Sequence, residues 1–281
     1  MTGTPVSINC AGQILDLKQP RIMGVLNITP DSFSDGGAWL TVEKAVAHAR
    51  QMADAGADII DVGGESTRPG SAPVSAGEEM QRVLPVIEAL RASIDVPVSI
   101  DTQKPAVMRA AVAAGAGMIN DENALQAPGA VEMAASLGVP VCLMHMQGMP
   151  ESMQENPEYA DVVTEVRQFL ADRANACLAA GMARERILLD PGFGFGKTTR
   201  HNLLLLQQLD QLVAEGYPVL VGLSRKSLIG KVLGLPVDER LYPGLALAVL
   251  AVWQGAAIVR THDVRATREA MDMCHAVSSV V

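Results

Sequence analysis

Short apolar runs recur along the chain at a spacing near 30 residues, and nearly every one ends in polar residues able to do chemistry. They close on Asn27 (MGVLNIT), Asp61 to Arg68 (IIDVGGESTR), Asp101 (PVSIDT) and Asn120–Asp121 (GMIND). Then follow His145 (VPVCLMH), Asp190 (ILLDPG), Ser224–Arg225–Lys226 (VLVGLSRK) and Arg260–Thr261–His262 (AAIVRTH). The runs are continuous rather than alternating, as in parallel strands buried on both faces. Amphipathic stripes lie between them: Val42, Ala45, Val46, Ala49, Met52 and Ala53; Met80, Val83, Leu84, Ile87 and Leu90; Val162, Val166, Phe169, Leu170 and Leu178. Stripes at this spacing predict helices that bury one face. Gly56, Gly115, Gly138 and Gly181 each follow a helical pattern and fit positions just past a helix end. Eight βα units with their chemistry at the strand C-termini predict an α/β fold, a (β/α)8 TIM barrel. The first 17 residues pair VSIN with QILDL around Ala11–Gly12, which predicts a short N-terminal β-hairpin plugging the barrel bottom. No Pro- or Ser-rich linker divides the chain, so residues 1–281 are read as one domain. Two long loops, 30–41 and 65–76, are rich in Gly, Ser, Pro and Thr and read as binding loops or lids.

Composition narrows the partners. With two Trp, three Tyr and four Phe, the interior must be filled by aliphatic side chains. The formal net charge of −9 argues against nucleic acid or an anionic membrane as partner. An anionic substrate must then be held by a few placed cations. Cys10, Cys142, Cys177 and Cys274 are isolated, with no CxxC or metal spacing, and read as reduced core residues. No signal-peptide pattern and no membrane-length apolar stretch occur, so the expected location is the cytoplasm.

The strand-end residues fall into acids, amides and cations. Asp190 opens DPGFGFGKT, which looks like a phosphate loop, but Pro191 stands where a Walker motif needs its first Gly. Asp190 has two readings: a carboxylate accepting N–H bonds from a heterocycle, or a cap on the following turn. Asp101 and Asn120–Asp121 end neighbouring strands, and each alone could be a helix cap. Capping does not explain the Arg, Lys and His on the same rim. Lys226 and Ser227 open a helix and suit an anion, and Arg260 with His262 suits a phosphate or diphosphate. Asn27, beside Asp31 and Asp35, offers the single amide oxygen that a water- and diphosphate-bound Mg²⁺ needs. His145, within MHMQG, is read as structural rather than catalytic. No GxSxG, HExxH or reactive-thiol pattern is present, so the site positions two substrates and neutralises an anion.

Taken together, MGVLNITPDSFSDGG, DVGGESTRPG, SIDT, IND, LMHMQG, LLDPGFGFGK, GLSRKS and RTHDV resemble the dihydropteroate synthase family across essentially the whole chain. The resemblance implies condensation of 6-hydroxymethyl-dihydropterin diphosphate with p-aminobenzoate, releasing diphosphate, in folate biosynthesis. It implies that Asp101, Asn120, Asp190, Lys226 and Arg260 hold the pterin. It places Thr67, Arg68, Pro69, Phe195, Lys226 and Ser227 around p-aminobenzoate. Asn27, Arg260 and His262 would hold the diphosphate, with Mg²⁺ on Asn27, and Asp101, Lys226, Arg260 and His262 would carry the catalysis. A homodimer and ordinary sensitivity to sulfonamides are also implied. One departure stands out: after Ile-Asn-Asp the family usually continues with an aliphatic residue, and this chain has Glu122. Two rival readings fit the residues less well. A methyltetrahydrofolate-dependent methyltransferase would have no use for SRKS, RTH or ESTRPG. A non-catalytic pterin-binding paralogue would have lost some of Asn27, Arg68, Lys226, Arg260 or His262, and all are present.

Overall fold

The computed structural model describes residues 4–28, 38–66, 73–148 and 153–280, with the side chains of the first helix described from residue 42. The chain opens with an antiparallel hairpin of β1 (Ser7–Cys10) and β2 (Gln13–Asp16), turned through Ala11 at φ +52° and Gly12 at φ +97°. Parallel units follow: β3 (Arg21–Asn27) with α1 (Ala38–Asp54), β4 (Ile59–Gly63) with α2 (Ala76–Arg91), and β5 (Val98–Asp101) with α3 (Pro105–Ala114). Next come β6 (Met118–Asp121) with α4 (Ala130–Leu137), and β7 (Val141–Met144) with α5 (Val162–Ala179). The last three are β8 (Ile187–Asp190) with α6 (Thr199–Gln207) and α7 (Leu209–Val213), β9 (Leu220–Gly222) with α8 (Ser227–Leu233) and α9 (Leu241–Trp253), and β10 (Ile258–Thr261) with α10 (Val264–Ser278). The sheet runs β8-β7-β6-β5-β4-β3-β10-β9, and a parallel bridge between Leu189 and Val219 brings its two ends together. The result is a nearly closed (β/α)8 barrel with an N-terminal hairpin.

Strand alternation decides what fills it. Successive residues point to opposite faces, so one set lines the lumen and the other meets the helices. Ile60, Val62, Ile100, Ile119, Val141, Leu143, Leu189, Val221 and Val259 join the helical stripes in the outer core. The other set starts at the bottom with Met23, Ile59, Met118, Cys142, Leu188, Leu220 and Ile258, which pack on Ile8, Cys10 and Leu15 of the hairpin. The hairpin thus closes the N-terminal mouth with apolar surface. Two residues further along the same inward rows stand Asp61, Asn120, Met144, Asp190, Gly222 and Arg260. An apolar floor therefore gives way to polar chemistry within one step of the pleat.

The helices end as their glycines require, with Gly56, Gly115, Gly138 and Gly181 all at positive φ. All four cysteines are free and buried. Among the described residues no helix is long and apolar enough to cross a membrane. α9 is apolar around its whole circumference, yet only Ala248 and Ala251 are buried, while Tyr242 and Trp253 are 79% and 60% exposed.

Candidate active site

The polar layer is one connected network. Arg260 on β10 reaches across the lumen, donating from Nε to Asp61 Oδ2 on β4 (2.7 Å) and from Nη2 to Asp101 Oδ2 on β5 (2.8 Å). Asn120 on β6 donates from Nδ2 to Asp61 Oδ2 (3.1 Å), which turns its amide oxygen away from that carboxylate. Asp61 is fully buried, and among the described residues its Oδ1 has no partner. Asp61 was not singled out from sequence as a site residue. The signal was there: a carboxylate inside an otherwise apolar strand, in register with the inward row.

The charges around this network shift one another. Burial raises the Asp101 pKa well above the carboxylate range; Glu122 adds to the rise and Arg260 opposes it. Burial works against the charge of Arg260, but Asp61, Asp101 and Glu122 together hold it protonated. Glu122 follows Asp121, which faces outward and accepts from Asn123 N (2.7 Å) and Leu125 N (2.9 Å). The side chain of Glu122 is half-buried, and its charge acts on Asp101, Arg260 and Lys226 together. The departure from the family pattern thus lies within electrostatic reach of the site.

Asp190 serves both of its sequence readings. Its Oδ1 accepts from Gly192 N (2.7 Å), which is the turn cap, and among the described residues Oδ2 has no hydrogen-bond partner. Burial pushes its pKa up to about 6, against the pull of the Gly192 N–H, Lys226 and Lys197. Lys226, just ahead of α8, lays its ammonium 4.2 Å above the centre of the Phe195 ring. Its pKa is lowered to about 8 by burial, with Arg260 adding to the fall and Glu122 resisting it. Ser227, at the first position of α8, is exposed on the same rim. Arg225 turns outward instead and pairs with Asp263 (2.6 Å).

His262 lies one residue past the end of β10 and two beyond Arg260. It stands near Ser224, with Nδ1 3.2 Å from Oγ. Burial and the neighbouring Arg260 and Arg225 lower its pKa to about 4, so the free site holds a neutral imidazole. Asn27 ends β3 opposite Gly63, where a Cβ would stand 3.4 Å from its Oδ1. His145 is nearly buried and meets Phe169 edge-on at 4.9 Å between ring centres. Its Nδ1 faces Lys197 Nζ at 2.9 Å, and burial with that cation lowers its pKa to about 3. Lys197, also unremarked from sequence, is 1% exposed.

The second loop is tied down at its described ends. Glu65 accepts from Val74 N (3.0 Å) and pairs with Lys104, which also reaches the fully buried Glu79 (2.5 Å). Thr67, Arg68 and Pro69, together with Asp31 and Asp35, lie outside the described residues.

Comparison with known proteins agrees with this geometry. Residues 23–262 match the family of pterin binding enzymes. The dihydropteroate synthase of Escherichia coli K12 is 53% identical over 268 residues, covering 95% of each chain. Two solved structures of Xanthomonas albilineans dihydropteroate synthase superpose closely. One, with 4-aminobenzoic acid, has a TM-score of 0.93 at 52% identity, covering 99% of this chain and 100% of that one. The other, in complex with 7,8-dihydropteroate, has a TM-score of 0.90 at 50% identity, covering 98% and 100%. Barrel and site define a pterin-binding transferase. The chain belongs to the dihydropteroate synthase family, whose members condense a dihydropterin diphosphate with p-aminobenzoate.

Proposed function

We propose that the chain, acting as one domain over residues 1–281, makes 7,8-dihydropteroate and diphosphate by an early-breaking, SN1-like substitution, with the roles divided as follows. Asp190 accepts from the pterin edge through Oδ2, the oxygen its turn leaves open. Asn120 presents its amide oxygen because Asp61 holds the other end of the amide. Asp101, Lys226 and Arg260 complete the pterin pocket. As the C–O bond lengthens, positive charge spreads into the heterocycle and draws Asp101 and Asp190 toward their ionised forms, where they stabilise it. Arg260 keeps a free edge of its guanidinium for the departing diphosphate, while its Nε and Nη2 are fixed on carboxylates. His262, neutral in the free site, gains basicity when a dianion arrives beside it and takes up a proton. Losing one such contact costs roughly 2–4 kcal/mol in the transition state.

Magnesium fits the residues present. Among the described residues no three His, Cys, Asp or Glu form a chelating cluster, and Asn27 supplies one hard oxygen at the mouth. That suits a Mg²⁺ held mostly by water and diphosphate oxygens, which would offset the charge of the leaving group. The p-aminobenzoate site is read as Thr67, Arg68, Pro69, Phe195, Lys226 and Ser227, and sulfonamides should compete there. We also infer a cytoplasmic homodimer: Tyr242, Leu250 and Trp253 of α9 and Met273 and Val277 of α10 expose apolar surface that a second copy would cover.

The observation that best supports this reading is the lumen network of Asp61, Arg260, Asp101 and Asn120, opening toward Asp190 and Lys226. The test is an assay with pterin diphosphate, p-aminobenzoate and Mg²⁺ that follows diphosphate and dihydropteroate together. Product should require all three, and sulfamethoxazole should compete with p-aminobenzoate. Pterin binding without turnover would overturn the assignment.

A further inference from the structure

Behind the site, the loop from Asp190 to Thr198 lies backbone-to-backbone on residues 145–147. A Cβ on Gly192 (φ +66°) would stand 1.9 Å from the His145 carbonyl oxygen, and one on Gly196 (φ +59°) 2.2 Å from that of Gln147. Such close contact crowds carbonyl groups into a space that water does not reach. Three of them converge on one ammonium. Lys197 Nζ donates to Gly192 O (2.9 Å), Phe195 O (2.9 Å) and His145 O (3.2 Å), and lies 2.9 Å from His145 Nδ1. No carboxylate pairs with it among the described residues. Burial lowers its pKa to about 7, while Asp190 opposes that fall and the three carbonyl acceptors favour the form with three N–H donors.

A buried ammonium held by carbonyls, with no carboxylate bonded to it among the described residues, is an expensive way to stabilise a turn. What distinguishes this one is the front of the loop it holds. Phe195, whose carbonyl Lys197 grips, lies under the Lys226 ammonium, and Gly192 donates to the carboxylate of Asp190. Two further carbonyls of the loop are held by the segment before α5, Gly196 O by Tyr159 Oη (2.8 Å) and Gly194 O by Gln154.

We propose that Lys197 is a positioning residue for the p-aminobenzoate half of the reaction: by gathering the carbonyls of His145, Gly192 and Phe195, it sets where the Phe195 ring stands beneath Lys226. This rests on the reading above that Phe195 lines the p-aminobenzoate pocket. Lys197 itself does not touch substrate.

The test compares Lys197→Met, Phe195→Ala and the double variant in the full-length enzyme. The readouts are kcat, KM for each substrate and equilibrium binding of a pterin ligand. Each single variant should raise KM for p-aminobenzoate about tenfold or more. The double variant should be little worse than either, and pterin affinity should change by less than about threefold, because the two residues act through one position. A general structural defect would instead raise both KM values together or add in the double variant, and either result overturns the proposal. If Phe195→Ala raises KM for p-aminobenzoate and Lys197→Met does not, the positioning role fails and the pocket stands. If Phe195→Ala leaves it unchanged, the pocket assignment fails and takes the proposal with it. Should Lys197→Met not fold, Lys197→Ala with added methylammonium replaces it. A cation returned to the cavity should restore KM for p-aminobenzoate, whereas tetramethylammonium should not. Failure of every Lys197 variant to fold would make the residue one of stability alone and overturn the proposal.

Discussion

Replacing Arg260 with methionine should cost far more stability than removing a surface arginine. Among the described residues Arg260 is the one cation bonded to two lumen carboxylates, and its side chain is only 20% exposed. Methionine keeps much of the volume but strands Asp61, which is fully buried and already has one oxygen without a partner. Removing one partner of a buried pair costs about 3–5 kcal/mol, because the charge left behind is uncompensated. An exposed pair would cost about 0–1 kcal/mol. At roughly 2–4 °C per kcal/mol, the melting temperature should fall by about 6–20 °C. Adding Asp61→Asn removes the stranded charge and should recover about 1–3 kcal/mol. Arg260→Lys should fall between, since an ammonium keeps the charge but cannot span Asp61 and Asp101 with two fixed prongs. Thermal and urea unfolding of the four proteins gives the answer. A loss below about 1 kcal/mol for Arg260→Met, or a double variant no more stable than the single, would refute the argument that Arg260 neutralises the lumen acids.

Activity should show a bell-shaped pH profile. Asp190, raised to about 6 mainly by burial, must be ionised to accept pterin N–H groups, so kcat/KM should climb as pH rises through about 6. Lys226, lowered to about 8 by burial, must stay protonated, so activity should fall as pH rises through about 8, and a flat profile across this range would contradict both roles. Glu122 resists the fall of the Lys226 pKa, so Glu122→Gln should move the alkaline limb down by at least about half a pH unit; an unmoved limb would mean its charge is not felt there. Gly192→Ala should lower stability by at least about 3 kcal/mol, since its Cβ would lie 1.9 Å from a backbone oxygen at a strained φ; a parental melting temperature would refute that packing.

Much of this was legible in the sequence because it depends on short-range periodicity. Continuous apolar runs at regular spacing define buried parallel strands, and polar residues at their ends fall on one rim of a barrel whichever strands pair. That places Asp101, Asn120, Asp190, Lys226 and Arg260 together without coordinates. Closure of the ring decided what periodicity could not. Arg260 lies 199 residues from Asp61 along the chain and bonds to it only because β10 pairs with β3, and β3 with β4. His262 meets Ser224 because β10 pairs with β9, Arg260 standing opposite Gly222. Lys197 belongs to a loop whose sequence suggests phosphate, yet its ammonium points into a cage of carbonyls from its own loop and from His145, just past β7. Local pattern fixes which face a side chain points toward. Which charge it meets there depends on pairings that only the tertiary structure makes.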